Sequence, residues 1–107
     1  MEHRAVRTGT DTDGALRVSL HGDIDFTNAP GVRQAIEEAV SGERRGTVRV
    51  DLADVPFLDS SGVEVLVAAY RLAESLGARC AIEGPSRAVF EHLRMIGLAE
   101  LFDIAAP

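Results

Sequence analysis

Two kinds of hydrophobic spacing alternate along this chain, and their order is the feature that most restricts its fold. Apolar residues occupy every second position in residues 16–20 and again in 48–52, which is typical of half-buried strands. In the segments that follow each of these runs, apolar residues recur with the spacing of an amphipathic helix. Strands that alternate with helices predict an α/β domain with parallel strand pairing.

Turn-forming residues set the expected ends of the strands. A turn at residues 11–14 suggests that residues 3–9 form a hairpin partner for the strand that Gly22 ends. A further short strand fits Arg79 to Glu83. With residues 48–52, these segments supply the strands of one sheet.

Three helices are predicted from residues that favour helix ends. Their expected spans are Thr27 or Asn28 to Gly42, Gly62 to Leu76, and Ser86 to Gly97. The second helix is apolar on nearly all sides in its first half, which predicts deep burial. The third is expected to bury four apolar side chains: Val89, Phe90, Leu93 and Ile96.

Length, charge and cysteine content narrow the class of protein. A chain of 107 residues fits a single domain, 1–107. Its net charge of -6 argues against nucleic acid as a partner, which usually leaves a basic surface. Cys80 is the only cysteine, so no internal disulfide forms. Without a signal-like segment or a membrane-length apolar run, a cytoplasmic location and no membrane partner are expected.

The loop of residues 55–62 joins a strand to a helix at the carboxyl end of the predicted sheet, where ligands and partners of α/β proteins usually bind. Small polar residues there also suit a helix start. Ser61 and Glu64 fit the spacing of a capping box, so residue types alone favour a capping role. A serine nucleophile at Ser60 would need a nearby base. The motif of a nucleophile elbow is absent, so no enzymatic activity is expected.

A second polar segment, Gly22 to Pro30, leads into the first predicted helix. Asp23 and Asp25 could contribute to a divalent cation site. They supply too few ligands on their own, and no other acidic cluster completes a site, so turn and capping chemistry is the favoured interpretation. The sequence also contains no phosphate-binding glycine loop. No metal and no cofactor are therefore predicted.

Taken together, the two segments resemble the STAS family of bacterial anti-sigma-factor antagonists. The resemblance covers residues 5–104 and is carried by three motifs: Gly22-Asp23-Ile24-Asp25 before Asn28-Ala29-Pro30, Val50-Asp51-Leu52 before Phe57-Leu58-Asp59-Ser60-Ser61-Gly62, and Gly97-Leu98-Ala99-Glu100-Leu101-Phe102. It implies a single STAS-like domain. Such a domain has a central mixed sheet of four to five strands, with three to four helices packed mainly on one face.

The resemblance also implies a partner-switching function. The unphosphorylated antagonist would bind an anti-sigma serine kinase and free a sigma factor, phosphorylation of Ser60 would release the kinase, and a phosphatase would reset the cycle. An alternative is a scaffold or sensor module that works with a transport ATPase or a larger signalling assembly. The implied partner-binding residues are Asp23, Asp25, Asn28, Asp59, Ser61, Gly62 and Glu64.

Two residues of this motif carry further expectations. Gly62 lacks a side chain, which is expected to let a kinase active site approach. Glu64 departs from the family pattern, because members often have Gly-Leu-Gly where this chain has Gly62-Val63-Glu64. The added charge beside Ser60 puts the identity of the partner in question.

Overall fold

Four strands form one sheet in the order β1-β2-β3-β4. The computed structural model describes residues 3–42 and 46–107. The strands are β1 (Val6–Thr10), β2 (Leu16–His21), β3 (Thr47–Asp54) and β4 (Arg79–Glu83). The helices are α1 (Ala29–Ser41), α2 (Ser60–Ser75), α3 (Arg87–Met95) and α4 (Leu98–Leu101). Residues 1, 2 and 43–45 of the predicted domain lie outside this description.

The sheet is mixed, as the sequence predicts. β1 and β2 form an antiparallel hairpin, with Val6 opposite Leu20. β2 and β3 run parallel, as do β3 and β4. Each parallel pair is joined through a helix, α1 or α2, which is the connection that parallel strands require.

The period-two alternation decides which face of the sheet is covered. Val18, Val50 and Leu52 are buried and belong to one core cluster with residues of α1, α2 and α3. Their neighbours on the other face are polar, and include Arg17 and Arg49. Burial of a Leu, Ile or Val side chain stabilises a fold by about 1.5–3 kcal/mol. The single apolar face therefore holds the helices on one side of the sheet.

The predicted helix ends lie within two residues of those in the structure, but one cap conformation and one predicted burial differ. α2 begins at Ser60, two residues before the predicted Gly62. Gly42 does cap α1, but with a right-handed backbone conformation that other residues can adopt. Ile96 is 50% exposed, so its predicted burial is wrong. α3 ends at Met95, so Ile96 already lies outside the helix. Gly97, with a φ of 82°, then turns the chain in a new direction.

Beyond Gly97 the chain returns to the core. Leu98 is partly buried against it, as is typical of the hydrophobic residue that follows a helix C-terminus. The ring of Phe102 stacks on Tyr70 of α2 with a centroid distance of 4.7 Å. Within residues 3–42 and 46–107, no helix has both the length and the apolar character needed to cross a membrane.

Candidate functional site

The two polar segments lie side by side at the carboxyl end of the parallel strands. Ile24 and Leu58 form an isolated parallel bridge. The N–H of Ile24 donates to the carbonyl of Phe57 at 3.0 Å, and the N–H of Asp59 donates to the carbonyl of Ile24 at 3.2 Å. Both segments therefore lie at the same edge of the sheet.

Asp59 joins the two segments through its side chain. One carboxylate oxygen accepts a hydrogen bond from the N–H of Gly62 at 3.0 Å and so caps α2. The other accepts from the N–H of Phe26 at 3.0 Å. One acidic side chain therefore satisfies a free donor of the helix and fixes the neighbouring loop.

The capping role predicted for Ser61 is wrong, because Asp59 is the N-cap residue of α2. Asp59 has the extended backbone that an N-cap needs, with φ of −94° and ψ of −169°. Ser61 already lies inside the first turn, where its side chain is not placed to cap the helix. No hydrogen bond between Ser61 and Glu64 is formed, so the pair is no capping box.

Ser60 is the first residue of α2 and is exposed. Its hydroxyl makes no hydrogen bond to any residue that the structure describes. The first backbone N–H groups of a helix also lack partners within the helix. Ser60 therefore combines an accessible hydroxyl with an environment that favours negative charge.

Gly62 is buried between the two segments. A Cβ atom at this position would lie 2.6 Å from the carbonyl oxygen of Ile24 and 2.9 Å from Cβ of Leu58. The expectation that Gly62 gives a kinase room to approach is therefore not met. Its missing side chain instead lets α2 pack directly against the neighbouring loop.

Asp25 and Asn28 are engaged in the turn before α1. One oxygen of Asp25 accepts from both the hydroxyl and the N–H of Thr27, and the hydroxyl is the main reason that the pKa of Asp25 lies below its ordinary value. Asn28 accepts from the N–H of Asp25 at 3.0 Å and donates to the carbonyl of Asp23 at 2.8 Å. The carboxylate of Asp23 is exposed and makes no such bond to the described residues. These contacts confirm the turn interpretation of the segment.

Two aromatic residues at this end were missed by the sequence reasoning. Phe26 is 75% exposed and Phe57 is 50% exposed, and both adjoin residues of the bridged segments. A signal was available for Phe26, since an aromatic residue between Asp25 and Thr27 has no place in a helical or strand stripe. Large exposed apolar side chains of this kind mark interaction surfaces when they cluster.

The residues of this end show no arrangement typical of a catalytic or metal centre. The ring of His21 lies 2.9 Å from a carboxylate oxygen of Asp54, and no hydrogen bond links His21 to Ser60. Over residues 3–42 and 46–107, no three His, Cys, Asp or Glu side chains are grouped so that they could hold a metal ion. This end of the molecule therefore presents the free hydroxyl of Ser60 beside acidic and aromatic side chains.

These observations define a class of small α/β domains with a mixed four-stranded sheet and helices packed on one face. Within that class, the chain belongs to the STAS domain family, which matches residues 8–106. It is 32% identical over 95 residues to the anti-sigma-B factor antagonist of Listeria monocytogenes. The alignment covers 88% of this chain and 81% of that protein.

Solved structures agree with this assignment. An anti-sigma factor antagonist from Mycobacterium paratuberculosis is 31% identical, with a TM-score of 0.74 over 95% of this chain and 86% of that one. The unphosphorylated form of the anti-sigma factor antagonist SpoIIAA has a TM-score of 0.76 at 22% identity, covering 96% of this chain and 88% of that one. The latter likeness concerns the fold alone.

Proposed function

We propose that this chain is an anti-sigma-factor antagonist whose binding to an anti-sigma serine kinase is switched by phosphorylation of Ser60. The observation that carries the proposal is the position of Ser60. Its free hydroxyl is exposed at the first turn of α2, at the end of the molecule that also exposes Phe26 and Phe57. Homology to anti-sigma factor antagonists supports the same role.

Phosphorylation at this position leaves the fold intact. Ser60 is not the cap of α2, so its modification removes none of the described hydrogen bonds. A phosphate adds about −1.5 to −2 charges. The start of a helix stabilises such a charge by about 0.3–1 kcal/mol.

Binding of the kinase, in contrast, is affected by the phosphate. The phosphate adds bulk and negative charge where the kinase contacts Ser60. One carboxylate of the kinase at about 6 Å would repel a unit charge by roughly 1–3 kcal/mol. A complex of micromolar affinity has only about 8 kcal/mol of binding free energy. Repulsion together with the added bulk is sufficient to release the kinase without refolding the antagonist.

In this cycle the chain acts as a substrate and a binding partner and catalyses no step itself. The unmodified form occupies the kinase in the cytoplasm and so frees a sigma factor. A separate phosphatase removes the phosphate from Ser60 and restores binding.

Binding of Ser60 variants to purified candidate kinases tests this proposal. Ser60→Ala should bind and stay bound when ATP is added, whereas Ser60→Asp should bind about 100-fold more weakly, a loss of roughly 3 kcal/mol. Ser41→Ala, at the exposed far end of α1, serves as the control and should bind like the wild type. Mass spectrometry after incubation with kinase and ATP should place the phosphate on Ser60. Equal binding of all variants would refute the switch, and recovery of a transport ATPase as the partner would favour the scaffold alternative.

A further inference from the structure

A cleft opens between the starts of α1 and α2, next to the proposed switch. Its volume is about 310 Å³. The buried side chains of Ala29 and Val65 form its floor, and Phe26 forms one wall. An apolar floor with an exposed aromatic wall is the construction of a pocket that receives an apolar side chain.

Ser61 connects this cleft with the switch. It contributes to the cleft lining and follows Ser60 directly in the first turn of α2. A partner side chain seated in the cleft would therefore contact Ser61, the neighbour in the chain of the residue that phosphorylation modifies. The cleft is thus continuous with the proposed interface.

The mouth of the cleft carries an unbalanced negative charge. Arg33 and Glu64 lie at its rim, but the guanidinium of Arg33 pairs with Glu37 at 3.6 Å. Glu64 is exposed and takes part in no ion pair among the described residues. A second groove along α1 and α2 shares both rim residues. Glu64 is therefore free to pair with a cation on a bound protein.

We propose that this cleft determines which anti-sigma kinase binds, by receiving an apolar side chain of the kinase while Glu64 pairs with a neighbouring basic residue of that kinase. The inference rests on the proposed function and adds the partner chemistry to it. Phe26 supplies the apolar contact. Glu64 supplies the charge that rejects partners with an acidic residue at the same place.

The apolar contact is probed with the purified kinase that binds the Ser60→Ala form. Phe26→Ala should raise Kd about 30-fold, as expected for loss of an aromatic anchor. The backbone N–H that Asp59 holds remains in this variant. Met95→Ala is the matched control, since Met95 is 78% exposed on α3, and it should leave Kd unchanged.

Glu64→Arg should raise Kd about tenfold through repulsion of the basic partner residue. Glu74→Arg is the matched control, because Glu74 is an exposed acidic residue ten positions further along α2, about 15 Å away along the helix. Glu64→Gln should reduce the dependence of log Kd on log salt concentration. Melting temperatures of all variants are measured to confirm that each one folds.

The outcomes separate this inference from the proposed function. If Ser60→Asp abolishes binding while Phe26→Ala and Glu64→Arg bind like the wild type, the switch stands and the cleft assignment is wrong. If Ser60→Asp binds like Ser60→Ala, the proposed function itself fails. Tighter binding by Glu64→Arg would contradict a basic partner residue. Self-association of the free chain that Phe26→Ala abolishes would assign the cleft to a second copy instead.

Discussion

Two acidic regions of this molecule use their carboxylates in different ways. On the open face of the sheet, Arg17 pairs with Asp11 at 2.9 Å and with Asp51 at 3.2 Å, and Arg49 pairs with Asp11 and Asp13. The proposed switch end consists of residues 22–30 and 55–64. There, Asp25 and Asp59 accept hydrogen bonds from backbone N–H groups, and Asp25 also accepts one from a hydroxyl.

The two regions differ in how much of their negative charge remains available to a partner. On the sheet face, two guanidinium groups bridge the carboxylates, so these charges are paired and held together internally. At the switch end no described ion pair includes Asp23, Asp25, Asp59 or Glu64, so their charge is not cancelled. Backbone donors satisfy hydrogen bonds but leave the full negative charge of these carboxylates available to a partner.

The largest expected effect tests how tightly the two segments of the switch end are packed. Gly62→Ala should lower the free energy of unfolding by about 3 kcal/mol, since the new methyl group meets the backbone carbonyl of Ile24 rather than a movable side chain. Urea unfolding measures this. Gly9→Ala is the control, because nothing lies within 4 Å of a Cβ there, and its change should stay within about 0.5 kcal/mol. Equal effects of both substitutions would mean that the close approach is not rigid.

A smaller effect tests the bridging role of Asp59. Asp59→Ala removes acceptors for the N–H groups of Gly62 and Phe26 and should cost about 1–2 kcal/mol of unfolding free energy. Hydrogen exchange at both amides should accelerate. Asp23→Ala, which removes an exposed carboxylate of the adjacent loop, should alter stability by less than about 0.5 kcal/mol. Unchanged protection of the Phe26 amide would argue against the bridge.

The smallest effect concerns the ion pairs of the sheet face. Hydrogen bonds from Arg49 and Arg17 lower the pKa of Asp13 and Asp11 below the ordinary value of 3.8. Because the folded state holds these protons less tightly than the unfolded state, their contribution to stability is present above about pH 4. It is lost as the pH falls further, toward the lowered values.

Arg49→Met should therefore flatten the dependence of unfolding free energy on pH below about pH 4. Urea unfolding at several pH values, for the wild type and the variant, measures the two slopes. Arg33→Met removes only an exposed pair on α1 and serves as the control. If Arg49→Met and the wild type lose stability in parallel on acidification, the sheet face does not depend on these pairs.

The sequence predicted the sheet face and the helix order well, because burial leaves a direct record in hydrophobic periodicity. Arg79 to Glu83 were assigned as a strand with the bounds that the structure has, and Ser86 caps α3 as expected. The position of Ile96 was missed, since the helical period continues in the sequence one residue past Met95, where α3 ends before Gly97 redirects the chain.

The switch end was harder to predict because its contacts join residues that are distant in the chain. Ser61 and Glu64 satisfy a local capping pattern. The carboxylate of Asp59, however, also accepts a hydrogen bond from the N–H of Phe26, 33 residues away. That long-range bond, together with the packing of Gly62 on Ile24, fixes where α2 begins. No local spacing encodes either contact.

We propose that phosphate on Ser60 acts on the partner and not on the fold. This is tested by comparing the chain that is singly phosphorylated at Ser60 with the unmodified chain, recording the melting temperature and the Kd for the kinase on the same samples. The melting temperature should be unchanged or slightly higher, and Kd should rise by about 100-fold or more. A melting temperature lowered by many degrees, or a Kd that does not change, would contradict it.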